Sequence, residues 1–238
     1  MAPIQVGTLV FDYQTIDVFG PCDLLNSASR RLMDVINSYT PVDPKVLAKA
    51  PDFVFHHIGE TLEPVRLLTS AVTIVPTVTA DDVTDLDILI VGGDSPANSN
   101  LPSKLQDFIR RHVASGKLLF TTCTGAAVVA ATGVLDGKNA TVNNLEYYWI
   151  KKKYPNVKWT KEKKWIIDGN VWTGSGAVAG MDMVAHWIKE NFGLDVLIQA
   201  GLSLDFEPRD VDGLFNVLPQ RYDSTGKKIS THVFPEEI

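Results

Sequence analysis

The sequence predicts one α/β domain built on a mainly parallel sheet with helices on both faces. Three observations carry that prediction. Short β-rich runs alternate with segments of helical periodicity along most of the chain. The run "DLDILIVGG", Asp85 to Gly93, is almost wholly apolar, as a central parallel strand buried on both faces should be. The 238 residues, 45% of them hydrophobic, suffice for one sizeable core and show no internal repeat, linker or low-complexity tract.

The elements follow in order. Ile4 to Val10 reads as the first strand. Gly20-Pro21 then opens a helix carrying Leu24, Leu25, Leu32 and Ile36, because proline at a first helical position loses no needed N–H. Phe53 to Ile58 is a strand, and "AVTIVPTVTADD" holds another short β segment before turn residues. Ser103 to Ala114 puts Leu105, Phe108, Ile109 and Val113 on one helical face. Lys117 to Thr121 is the next strand, and Thr124 to Thr132 is a helix of small, apolar residues that should be buried. Leu145 to Lys153 is a more exposed helix. "KKWIIDGNVWTGSG" predicts a hairpin turning at Asp168-Gly169 or Gly169-Asn170. Ala177 to Phe192 is a long helix, and residues 194–238 form a C-terminal extension packed on the same domain, helical over Val196 to Leu204 and then coil.

Composition excludes several functions. The charge is −6, from 22 basic and 28 acidic residues, and the basic run Lys151 to Lys164 is interrupted by Tyr154, Trp159, Glu162 and Trp165. That argues against nucleic acid as a partner. No segment is apolar enough to span a membrane, and the N-terminus reads as a strand rather than a signal peptide. Two cysteines and no secretion signal predict a cytoplasmic setting. No His/Cys group has zinc-ligand spacing, and "GSGAVAG", Gly174 to Gly180, misses the dinucleotide fingerprint and reads as close packing at a helix start.

Cys123 is the first candidate for chemistry. It stands between the strand "KLLFT" and the helix "TGAAVVAATG", at the carboxyl end of the sheet where ligands bind. Small residues after it suit a tight elbow. A helix starting there should lower the thiol pKa, and the N–H that follows the nucleophile, on Thr124, is placed to stabilise an oxyanion. Asp17 is the second. It lies past the first strand beside Val18 and Phe19, so it should face the same crevice, favour its protonated form and exchange protons there. Gly92 and Gly93 end the buried strand and offer further N–H donors, with Asp94 next in the loop. None of the five histidines carries a signature tying it to Cys123, and Cys22 reads as a small apolar residue of the first helix.

As an ordered set, "GTLVFDYQTIDVFGPCDLL", "DLDILIVGGDSP", "LLFTTCTGAAVVAATGVLDGKNAT" and "DGNVWTGSGAVAGMDM" resemble the ThiJ/PfpI superfamily over about Ile4 to Phe192. The resemblance implies the class I glutamine amidotransferase-like fold, a flavodoxin-like three-layer sandwich with a cysteine nucleophile elbow. Asp17 in a DxxGP pattern together with Cys123-Thr124-Gly125 is most similar to isonitrile (isocyanide) hydratases. It implies addition of water to a small-molecule isocyanide to give an N-substituted formamide, by a homodimer that needs no metal or cofactor. Cys123 would be the nucleophile and Asp17 the proton carrier, while Thr124, Gly92, Gly93 and Asp94 would line the substrate site. Two departures stand out: Asn143 replaces a histidine common in relatives, and "GGDSPANSN" replaces their glycine-rich loop. The other readings are a glyoxalase-type conversion of a dicarbonyl to a hydroxy acid, and a redox sensor using Cys123. "SYTPVDPKVLAKAPDF" reads as an added surface loop, and the first helix and the C-terminal coil are candidate dimer contacts.

Overall fold

A computed structural model describes residues 2–83, 85–95, 101–214, 217, 225 and 227. In chain order the elements are β1 (Ile4–Leu9), α1 (Thr15–Ser27), α2 (Arg30–Asn37), α3 (Pro44–Lys49), β2 (Phe53–Gly59), β3 (Val65–Arg66), β4 (Thr73–Ile74), β5 (Val78–Thr79), β6 (Ile88–Val91), α4 (Ser103–Ala114), β7 (Leu118–Thr122), α5 (Gly125–Ala130), β8 (Asn139–Ala140), α6 (Tyr147–Lys153), β9 (Lys158–Trp159), β10 (Trp165–Asp168), β11 (Val171–Gly174), α7 (Ala177–Phe192) and α8 (Leu194–Leu204). The main sheet has the order β10-β11-β7-β6-β1-β2-β5. Every pairing in it is parallel except β10 with β11.

The expected α/β architecture is therefore present, and β6 is its centre. All four residues of β6 are buried, flanked by β1 and β7. That placement needs apolar side chains on both faces, which is why "ILIV" shows no alternation. Helices α1, α7 and α8 pack together as one layer, while α4 and α5 cover β6 and β7. Phe120 of β7 meets Trp187 of α7 edge-on at 6.1 Å. At the hairpin, Asp168 pairs with Val171, so Gly169-Asn170 is the turn, with Gly169 at φ +62°. Gly174 and Gly180 allow the close approach anticipated for "GSGAVAG": a Cβ on Gly180 would lie 2.5 Å from Thr122 Cγ2.

Four expectations are corrected. Pro21 does not open a helix; it lies inside α1, which starts six residues earlier at Thr15. Tertiary partners fix that start. The Thr15 N–H donates to Thr69 Oγ1 at 3.0 Å, and the Gln14 N–H donates to the Gly93 carbonyl at 2.7 Å. Pro21 then costs the helix one internal bond, at the Asp17 carbonyl. The helix also does not run on to Ile36, because Ser29 caps a new one: its Oγ accepts the Leu32 N–H at 3.1 Å. The supposed surface loop contains α3, capped by Asp43 with Pro44 in its first turn, and Lys49 ties it to Asp195 of α8 at 2.7 Å. The segment "AVTIVPTVTADD" holds two two-residue strands rather than one. The coil proposed for a dimer contact lies largely outside the described residues, as do residues 96–100 of "GGDSPANSN". Among the described residues no helix is long and apolar enough to cross a membrane.

Candidate active site

The sheet brings β1, β6 and β7 side by side, and the segments leaving their carboxyl ends build the site. Cys123 leaves β7 with φ +61°, a left-handed conformation that costs a non-glycine residue of order 1–2 kcal/mol. Its N–H is anchored to the Gly174 carbonyl at 3.0 Å. The chain then turns directly into α5. The elbow fits because Gly125 has no side chain: a Cβ there would collide with the Val91 carbonyl oxygen and sit 2.8 Å from that of Gly92. Those neighbours are backbone and cannot yield. Gly125→Ala is expected to lower stability by about 3 kcal/mol, read by denaturant unfolding; a change within 0.5 kcal/mol would mean that β6 can shift.

Asp17 lies in the first turn of α1 and has no solvent exposure. Its Oδ2 accepts the Gly93 N–H at 2.9 Å, and the Cys123 thiol is the other hydrogen-bonding neighbour of the carboxyl. Gly93 was expected to aim its N–H at a substrate; it spends that donor on Asp17. A Cβ on Gly93 would also lie 2.7 Å from the Thr124 nitrogen and collide with its hydroxyl. Thr124 Oγ1 in turn donates to the Asp94 carbonyl at 2.8 Å. Gly93, Asp94 and Thr124 thus form a brace that fixes α1 and the elbow relative to each other, and Gly92 packs beneath it against Val18 and Tyr13.

Burial dominates the electrostatics. It raises the Asp17 carboxyl to about 7, with the Gly93 N–H and the Cys123 thiol pulling it partly back. This agrees with the protonated form expected from its apolar neighbours. The thiol behaves oppositely to expectation. Burial, then the Asp17 carboxyl, push Cys123 up to about 11, and the Asn143 amide and Thr124 N–H only partly offset this. Cys123 is 7% exposed and α5 has six residues, so desolvation and a neighbouring carboxyl outweigh a short helix's dipole.

Asn143 is the residue that sequence reasoning did not place in the site. Its Nδ2 donates to Cys123 Sγ at 3.0 Å, while its Oδ1 accepts the Leu145 N–H at 2.8 Å. The second bond orients the amide with its donor toward sulfur. Its signal is the departure from the resemblance, which implies that a histidine is common at this position. The described histidines are engaged elsewhere: His56 with Gln5, His57 with Thr8, His112 with the Leu118 carbonyl, and His186 between Trp165 and Trp172. Both cysteines are free thiols, and Cys22 is buried within α1. No group of three metal-ligating side chains occurs among the described residues.

Comparison with known proteins agrees with this geometry. The chain is 29% identical over 208 residues to isonitrile hydratase of Pseudomonas putida, spanning 86% of this chain and 79% of that enzyme. It is 28% identical over 123 residues to the HTH-type transcriptional regulator GbdR of Pseudomonas aeruginosa, spanning 52% of this chain and 33% of the regulator. A THiJ/PfpI family protein from Pseudomonas syringae superposes with a TM-score of 0.69 at 21% identity, over 88% of this chain and 78% of that one. Drosophila melanogaster DJ-1beta superposes with a TM-score of 0.65 at 17% identity, over 85% and 98%. The profile of the DJ-1/PfpI family matches residues 9–190, which include the elbow, the Asp17 helix and the glycine brace, and the chain belongs to that family.

Proposed function

We propose that the protein is a cofactor-independent hydratase that adds water to an isocyanide and releases an N-substituted formamide. The observation that carries this reading is the buried Asp17–Cys123 pair: between pH values of about 7 and about 11 it holds one mobile proton and one negative charge. Hydration of an isocyanide needs both. In the reactive state Cys123 is the thiolate and Asp17 the neutral acid. The Asp17 proton passes to the isocyano carbon as Sγ bonds to that carbon, giving a thioimidate and a carboxylate. Asp17 then takes a proton from water as the water oxygen bonds to the same carbon, and passes that proton to nitrogen. The carbon–sulfur bond breaks, the hydroxyl proton returns to Asp17, and formamide leaves beside a restored thiolate. Asn143 donates to the sulfur whenever it is anionic, and the Thr124 N–H also lowers the cost of that charge.

The two other readings fit less well. An amide at 143 cannot shuttle the proton that a glyoxalase-type histidine would carry. A peroxide sensor needs an exposed, low-pKa thiol, whereas this one is buried and raised.

The test is to offer the purified protein an aryl isocyanide and, separately, methylglyoxal, following formamide and lactate. Formamide supports the proposal; lactate alone overturns it. The pH profile is a second test. Below about 7 both groups hold protons and no nucleophile is available; above about 11 both are ionised and no acid remains. Turnover at low substrate should therefore rise with pH through about 7 and fall again only toward about 11. A profile that falls above pH 7 would contradict the pair's role.

A further inference from the structure

The segment that holds Asn143 against the sulfur continues into Glu146. Asn143 Oδ1 takes the Leu145 N–H, and Glu146 follows as the residue capping α6, its carbonyl accepting the Ile150 N–H at 2.9 Å. The Glu146 side chain is half-buried, yet its Oε2 is fully buried and accepts no hydrogen bond. A buried carboxylate oxygen without a donor is rare, because it has given up water for nothing. By contrast, Asp182 takes Arg209, Asp87 takes Lys117 and Asp168 takes Asn139.

The basic side chains nearest in sequence do not supply one. Lys151 Nζ lies over the Tyr147 ring at 5.8 Å and Lys153 Nζ over the Trp149 ring at 4.8 Å, while Lys161 Nζ, farther along, donates to the Tyr148 hydroxyl at 2.7 Å. Neither Asp17 nor Glu146 has an ion-pair partner within 4 Å among the described residues. The charge on Glu146 is also felt at the nucleophile, where it pushes the Cys123 thiol upward.

We infer that the approach to Cys123 selects substrates by charge, and that the uncompensated Glu146 carboxylate favours a substrate chain carrying a cationic group a few bonds from its reacting carbon. For an isocyanide substrate this rests on the hydratase reading; the charge selection itself does not. A cationic chain is attracted, whereas an anionic chain meets the Glu146 charge beside that of the Asp17–Cys123 pair, with no cation to offset either. Glu146 is a specificity residue here and takes no part in bond making.

The test separates the two ideas. Cys123 is labelled with methanethiosulfonate reagents of similar size bearing a trimethylammonium or a sulfonate group. The thiolate sulfur bonds to the reagent's thioalkyl sulfur and methanesulfinate leaves, so no turnover is needed. Peptide masses distinguish Cys123 from Cys22. The wild-type protein should react faster with the cationic reagent. Glu146→Gln should reduce the cation-to-anion rate ratio about tenfold, and Glu146→Lys should invert it. In parallel, the kcat/KM ratio for 2-isocyanoethyl-trimethylammonium over its neutral isostere, 3,3-dimethylbutyl isocyanide, should fall in Glu146→Gln, chiefly through KM. A labelling ratio unchanged in both variants overturns the inference. A shifted labelling ratio with neither isocyanide consumed upholds the charge selection and removes the hydratase reading.

Discussion

Cys123→Ser should abolish formamide production, by at least about 10³-fold, while leaving the fold in place. Serine is nearly isosteric, can keep the anchor of the 123 N–H on the Gly174 carbonyl, and can accept the Asn143 amide proton as sulfur does. The loss comes from chemistry. A hydroxyl at the same buried position is far harder to ionise than a thiol, and its oxygen is a harder nucleophile for an isocyano carbon. Turnover by continuous formamide assay and unfolding by denaturant together separate the two effects. More than a tenth of the wild-type rate in the serine protein would show that sulfur forms no bond to substrate.

Asp17→Asn should have a double effect. Turnover should fall about 10³-fold, because asparagine can neither give the carbon its proton nor take one from water. Stability should rise. The folded-state carboxyl titrates near 7, well above the ordinary aspartate value, so the folded protein binds a proton there that the unfolded chain has already lost. The wild-type chain therefore loses stability as pH climbs from about 4 to about 7 and recovers none of it above. Asparagine carries no charge to desolvate and can still accept the Gly93 N–H. The variant should be more stable by about 2–4 kcal/mol at pH 8 and equal to wild type near pH 4. A variant less stable than wild type at both pH values would show that the carboxyl is held as a favourable anion. That gain of stability with loss of activity is the mark of a group kept for chemistry.

Much of this was readable from local sequence. Cys123 and Asp17 each follow a strand end, and strand ends announce themselves by composition; so did "ILIV", the long α7 and the hairpin. What was not readable depended on partners distant in the chain. The start of α1 rests on the Thr69 hydroxyl and the Gly93 carbonyl. The thiol's direction of shift depends on how deeply α5 and Asp17 bury it, and a short helix's dipole was the wrong term to rank first. The donor on Gly93 was assigned to a substrate because nothing local shows that a carboxyl on α1 takes it. Asn143, three residues past β8, meets the sulfur from a segment twenty residues further along the chain. α3 is different: Asp43-Pro44 is a legible cap and start, which the reading of a surface loop passes over.

The brace at Gly93 bears on how the protein comes into being. Asp17 and Cys123 are more than a hundred residues apart, and the two residues that align them, Gly93 and Asp94, arrive on a third segment. Loop closure must therefore be completed across β1, β6 and β7 before the reactive pair exists at all. A chain with two of these three strands docked has a thiol and a carboxyl but no acid–base pair. During refolding, catalysis should return with the last consolidation of the sheet and never ahead of it, and a partly assembled chain exposes no primed nucleophile to the cell.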